Sequence, residues 1–116
     1  MSANQDEVPE LEPDEANELI LAGGYLLDVR EPDEWEAGHA PAAHHIALGE
    51  IEQRYQEVPN DVTIVCVCRG GGRSARAGGA LAGLGYSTIN LAGGMRAWAA
   101  ADLPVVTDTG EPGTVI

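Results

Sequence analysis

At 116 residues the chain fits one compact domain and leaves no room for a second of ordinary size. Apolar residues make up 44% of it, but Phe is absent and only 4% is aromatic, so Leu, Val, Ile and Ala must fill a small aliphatic core. A net charge of −13 argues against nucleic acid and anionic membrane surfaces as partners, and no segment approaches the roughly 18 consecutive apolar residues that cross a bilayer.

The N-terminus, MSANQDEVPE, lacks the basic and apolar regions of a secretory signal, which predicts a cytoplasmic protein. A short strand is predicted near Val8–Leu11. Pro13 then suits a first helical turn, and Ala16, Leu19 and Ile20 give an apolar stripe that stops at Gly23 and Gly24. Tyr25–Val29 reads as a strand and His44–Ala47 as a weaker one. A helix is predicted over Gly49–Glu57, ending before Pro59. Val62–Val67 is the most apolar strand, and it leads toward a helix that starts near Ser74 and ends at Gly85. Thr88–Leu91 is the last strand, and a helix from Gly94 to Ala101 ends before Pro104. Buried strands alternating with helices predict an α/β fold with a parallel sheet covered on both faces. The domain is predicted to span residues 8–104, with 1–7 and 105–116 as flexible or extended ends.

Charge divides unevenly along this order. Residues 1–61 hold sixteen acids and two arginines, whereas residues 62–101 hold no acid and four of the six arginines, Arg69, Arg73, Arg76 and Arg96. Such a positive island can attract a small anion locally in a protein that repels anions overall. Cys66 and Cys68 are expected to point to opposite faces of the strand and so not to form a disulfide. C-x-C alone is no metal motif, and His39, His44 and His45 stand at no recognised spacing from the cysteines, so no metal site is predicted.

The chemistry is predicted where the strand VTIVCV runs into CRGGGRS and then into a helix. In open α/β sheets, ligands bind at the carboxyl ends of strands, where a helix N-terminus offers unpaired N–H groups and a positive dipole end. Cys68 is the first residue of that turn, so its thiol pKa should be lowered, and Arg69 and Arg73 should lower it further. Gly70, Gly71 and Gly72 are expected to take positive φ, aiming successive N–H groups inward as an anion-binding nest that also includes Ser74. Cys66, inside the strand, is expected to be inert.

Three segments resemble one family. DVREPDEWEAGH (Asp28–His39), CRGGGRS (Cys68–Ser74) and LAGGMRAW (Leu91–Trp98) are similar, in order and spacing, to the signatures of the rhodanese homology domain. The resemblance implies a three-layer rhodanese-like fold, with a central five-stranded parallel sheet and helices on both faces. It also implies a thiosulfate sulfurtransferase, in which Cys68 takes a sulfane sulfur from a small anionic donor such as thiosulfate. The sulfur then passes, as a Cys68 persulfide, to cyanide, a thiol or a thiol-carrier protein, with no cofactor. Cys68 and Arg73 enclose four residues, whereas related phosphatases and arsenate reductases close a ring one residue longer; the shorter ring favours sulfur transfer over oxyanion chemistry. The other alternative is a noncatalytic sulfur carrier or interaction module.

Within these segments Asp28 and Arg30 are supporting residues. Asp28 is expected to accept from the loop, pair with an arginine or cap the following turn, and Arg30 to pair locally with Glu34. His39 is read as fold-supporting, and Trp35 and Trp98 as packing. The sequence departs from the family pattern at Ala40, where a larger apolar residue is expected, at Ala42, where Gly is, and at Ala47, where Pro is. Gly78 and Gly79 inside the third helix call for close approach to the sheet as their reason.

Overall fold

The computed structural model describes residues 8–116; what was expected of residues 1–7 lies outside the described residues. Five parallel strands, β1 (Glu10–Leu11), β2 (Tyr25–Asp28), β3 (Ala43–His45), β4 (Ile64–Val67) and β5 (Thr88–Leu91), form one sheet in the order β1-β5-β4-β2-β3. Among the described residues the α-helices are α1 (Pro13–Leu21), α2 (Pro32–Ala37), α3 (Ile51–Arg54), α4 (Gly72–Gly83) and α5 (Gly94–Ala100). None of the described helices is long and apolar enough to cross a membrane.

Two of these helices differ from expectation. α2 was not predicted, because its N-cap is Glu31 rather than Ser, Thr, Asp or Asn. Its start is nonetheless well specified: Pro32 stands in the first turn, and the Glu34 carboxylate accepts the Glu31 backbone N–H at 3.0 Å in a capping box. The single helix expected over Gly49–Glu57 is instead a 3-10 turn, the short α3 and a second 3-10 turn at Tyr55–Glu57. α4 begins at Gly72, two residues ahead of Ser74.

The core has two halves, one on each face of the sheet. Leu27, Ile64 and Cys66 meet Ile51 and Leu81 from α3 and α4, while Leu26, Val65 and Leu91 meet Ala16, Met95 and Trp98 from α1 and α5. Alternation along a strand puts residues two apart on the same face, so Cys66 and Cys68 share the first half rather than facing opposite ways. Both are free thiols. On the second face, Ala40 is buried and lines a pocket of about 290 Å³ with Leu26, Ala42 and Trp98, the space that a larger residue at 40 would occupy. Gly78 does not need its small size: a Cβ there would lie 3.6 Å from Thr88 and Val8, an ordinary contact.

Residues 105–116 run back along the end of α2. Val106 exchanges backbone hydrogen bonds with His39 at 2.8 Å, Thr114 N–H donates to Ala37 O at 2.9 Å, and Val115 packs against the core. His39 stacks on Trp35 with ring centroids 3.6 Å apart and places Nε2 2.9 Å from Asp108, so the fold-supporting part read for it has a visible basis.

Candidate active site

The chain leaves β2 toward β3 and leaves β4 toward β5, so the connections diverge between these two central neighbours. Asp28 and Val67 stand side by side in register at their carboxyl ends. That is the topological switch point at which open α/β sheets hold ligands. The β4–α4 loop begins there with Cys68, and the β2–α2 loop faces it.

Cys68 Sγ is buried on the floor of the loop. Gly71 N–H donates to it at 3.0 Å, and Ser74 Oγ lies 3.2 Å away. Gly71 alone of the three loop glycines has positive φ, at 116°; Gly70 and Gly72 were expected to share it and do not. One left-handed residue is enough, because it turns the chain from the loop into the first turn of α4. Burial pushes the Cys68 thiol up, but the Ser74 hydroxyl and the backbone N–H groups of Ser74, Gly71 and Gly70 outweigh it and hold the pKa below the ordinary value. In Cys66, burial dominates, the Cys68 charge adds to it, and the thiol is pushed up to about 12. The contrast expected between the two cysteines is therefore built into their surroundings.

The arginines behave differently from expectation. Arg73 closes the ring but spends its fork on Glu34 of α2, with Nη1 to Oε1 at 2.7 Å and Nη2 to Oε2 at 2.9 Å. Arg69 is exposed and donates from Nε to the main-chain oxygen of Ile116 at 2.8 Å. Backbone and hydroxyl donors, rather than these two charges, are the main causes of the lowered Cys68 pKa. Arg30 pairs with Asp28, not with Glu34: Nε meets Oδ1 at 2.9 Å, Nη2 meets Oδ2 at 2.7 Å, and both residues are fully buried. Arg30 Nη2 also donates to Gly38 O at 2.8 Å, so the pair bolts the end of β2 to the end of α2 and does not touch Cys68.

Two contributors escaped the sequence reading. Asn90, on β5, accepts from Ser74 at 2.6 Å and donates to Glu10 at 3.0 Å and to Gly71 O at 3.1 Å. An amide between the apolar Ile89 and Leu91 of an interior strand was the available signal. The second is the glycine pair ahead of α5. Met95 N–H donates to Cys68 O at 2.7 Å and Arg96 N–H to Arg69 O at 3.1 Å, so the start of α5 holds the loop from behind. Gly94, at φ 64°, allows this approach, since a Cβ there would sit 2.5 Å from the Cys68 carbonyl oxygen. Among the described residues no cluster of three or more His, Cys, Asp or Glu side chains could hold a metal ion.

The family model described as Rhodanese-like domain matches residues 12–101. The chain belongs to the rhodanese-like domain family. Relatives carry names consistent with the site. The putative sulfurtransferase YtwF of Bacillus subtilis is 40% identical over 74 residues, covering 64% of this chain and 72% of that one. The thiosulfate sulfurtransferase GlpE of Pseudomonas syringae is 32% identical over 93 residues, covering 79% and 88%. Two further Bacillus subtilis relatives are longer, and the rhodanese-like chain spans 54% and 59% of them. Among solved structures, a rhodanese-related protein from Thermoplasma volcanium superposes with a TM-score of 0.81 at 29% identity, over 86% of this chain and 99% of that one. The expected five-stranded rhodanese-like fold is thus the one the chain adopts.

Proposed function

We propose that this rhodanese-like domain is a sulfurtransferase that carries a sulfane sulfur as a persulfide on Cys68, with thiosulfate as a competent donor. The observation that carries the reading is the Cys68 sulfur held between the Gly71 N–H at 3.0 Å and the Ser74 hydroxyl at 3.2 Å, at the start of α4. These donors favour an anion at that point and keep the nucleophile as thiolate without a general base.

In the proposed reaction the Cys68 thiolate attacks the outer sulfur of thiosulfate. A bond forms between Sγ and that sulfur, and the sulfur–sulfur bond of thiosulfate breaks with its electron pair leaving on sulfite. No proton moves, and no outside oxidant or reductant is required. Cyanide or a thiolate, free or on a carrier protein, then attacks the outer sulfur and returns Cys68 as thiolate. Arg69 is assigned to drawing in the anion, Gly70–Gly72 and Ser74 to the cradle, Arg73 to closing it, and Asp28 and Arg30 to supporting the facing loop.

Intact-mass analysis after thiosulfate treatment tests this. The expected result is a gain of about 32 Da, one sulfur, that maps to Cys68, reverses with cyanide and is absent in Cys68→Ser. No adduct, or an adduct that survives in Cys68→Ser, overturns the reading.

A further inference from the structure

Ser74 has one hydroxyl proton and three acceptors around it: Asn90 Oδ1 at 2.6 Å, Cys68 Sγ at 3.2 Å and Gly71 O at 3.3 Å. The Asn90 amide cannot turn over to relieve this competition. Both of its N–H bonds are aimed at groups that only accept, the Glu10 carboxylate at 3.0 Å and the Gly71 carbonyl at 3.1 Å, so a flip would set oxygen against oxygen twice. The sheet fixes this arrangement, since Asn90 stands in register with Glu10 on β1 and with Cys66 on β4. Asn90 and Ser74 are buried, so water is a poor substitute for a missing partner.

Where the proton points follows from the charge on Cys68. In the neutral thiol, S–H can donate to Ser74 Oγ, and Ser74 donates to Asn90. In the thiolate, Ser74 turns its proton to Sγ, and the buried Asn90 oxygen loses its donor, an unfavourable change. In the persulfide the negative charge resides on the outer sulfur, and Sγ becomes a neutral, weak acceptor. Ser74 then returns to Asn90, and the buried Asn90 oxygen is satisfied again.

We infer that Asn90 is a positioning residue that competes with the Cys68 thiolate for the Ser74 hydroxyl, and that this competition biases the site toward the sulfur-loaded form. The loading half rests on the persulfide reading; the competition in the empty protein does not. The charged and titratable groups facing the site are Arg69 and Arg73 from the loop, Glu34 from α2 bound to Arg73, Glu10 from β1 behind Asn90, and the Cys66 thiol from β4. A change at Asn90 also releases Glu10 and the Gly71 carbonyl, and the Ser74→Ala background, which carries the same losses, separates them from the competition.

The test is Asn90→Leu in the full chain, with Asn90→Ala carrying the same test if Leu does not fold. Two quantities are read: the pH midpoint of Cys68 alkylation, and the persulfidated fraction at a fixed ratio of thiosulfate to sulfite. Freed of its competitor, Ser74 stays on the sulfur, so the midpoint should fall and the loading equilibrium should drop about three- to tenfold. In a Ser74→Ala background the same substitution should change neither. A purely structural Asn90 would loosen the cradle and raise the midpoint. A midpoint that stays or rises, or a shift that persists without the Ser74 hydroxyl, overturns the inference. A wild type that takes up no sulfur overturns the persulfide reading and the loading half with it, while the midpoint still decides the competition.

Discussion

Glu34 and Arg73, thirty-nine residues apart, meet through two parallel hydrogen bonds of 2.7 and 2.9 Å and so tie α2 to the closing residue of the Cys68 loop. Removing either partner should destabilise the fold by an amount on the order of 1 kcal/mol, since the pair is partly exposed and screened. Their effects on Cys68 should have opposite signs. Arg73→Ala removes a cation that faces the thiolate and leaves Glu34 uncompensated, so the thiol pKa should rise and kcat fall. Glu34→Gln leaves the cation unmatched, so the pKa should fall. Alkylation rates across pH measure both, and shifts of the same sign would show that the pair acts through loop geometry alone.

The same pair sets a pH window for stability. The Arg73 hydrogen bonds hold the Glu34 carboxyl at about 2, against an ordinary 4.5. Because the folded-state pKa is the lower one, the stabilisation is complete above about 4.5 and is lost as pH falls from there through about 2. Thermal melts of wild type and Glu34→Gln should therefore converge over that interval and stay separated by a constant amount above it.

Gly94 and Gly71 should be intolerant of a side chain, and Gly70 tolerant. At Gly94 a Cβ would lie 2.5 Å from the carbonyl oxygens of Cys68 and Arg69, at a φ of 64°. Gly94→Ala should thus cost about 3 kcal/mol or more and unseat the loop. Gly71→Ala meets only ordinary contacts, with Gly93 N at 3.7 Å and Asn90 Nδ2 at 3.8 Å, but a φ of 116°, so roughly 1–2 kcal/mol is expected. Gly70 combines open space with an ordinary φ, and its Ala variant should stay within about 0.5 kcal/mol. Urea midpoints at constant slope give the order.

Gly78→Ala should stabilise α4 by about 1 kcal/mol, the difference in helix propensity, because its Cβ would only touch Thr88 and Val8 at 3.6 Å. An unchanged or lower urea midpoint would mean that the helix must shift to admit the methyl group.

How much of this was legible depended on whether a signal is local. The alternation of apolar strands with helices, the turn at CRGGGRS and the opposite pKa shifts of Cys66 and Cys68 all follow from neighbouring residues, and the sheet and the loop appear accordingly. α2 was hidden by a Glu at the cap position, although Pro32 and Glu34 marked its start. The partners of Arg73, Arg30 and Ser74 were not legible, because one carboxylate looks like another until the switch point between β2 and β4 brings Glu34, rather than Asp28, up to the ring. Asn90 reaches Glu10 across eighty residues through strand register, which no spacing in the sequence reports. The glycines were over-read in the same way: three in a row suggested three left-handed residues, and the backbone needs one.

Arg69 and Arg73 share a loop but differ in what cancels their charge. Arg73 is matched by the side-chain carboxylate of Glu34, whereas Arg69 is exposed and its hydrogen bond goes to the main-chain oxygen of Ile116. Among the described residues no Asp or Glu side chain pairs with Arg69, so its guanidinium stands beside Cys68 at the mouth of the loop, in a protein whose net charge of −13 repels a dianion. If thiosulfate is the donor, Arg69→Ala should raise its KM several-fold with little change in kcat, the pattern of an interaction made equally in the ground and transition states. Salt should shrink the difference, because the screening length falls from about 10 Å at 0.1 M to about 3 Å at 1 M. Arg73→Ala should show the converse, a fall in kcat that salt barely touches, since its role is to hold the ring shut. Steady-state kinetics of both variants at the two ionic strengths separate these roles. A KM unchanged in Arg69→Ala would transfer the steering to Arg76 or to the loop N–H groups.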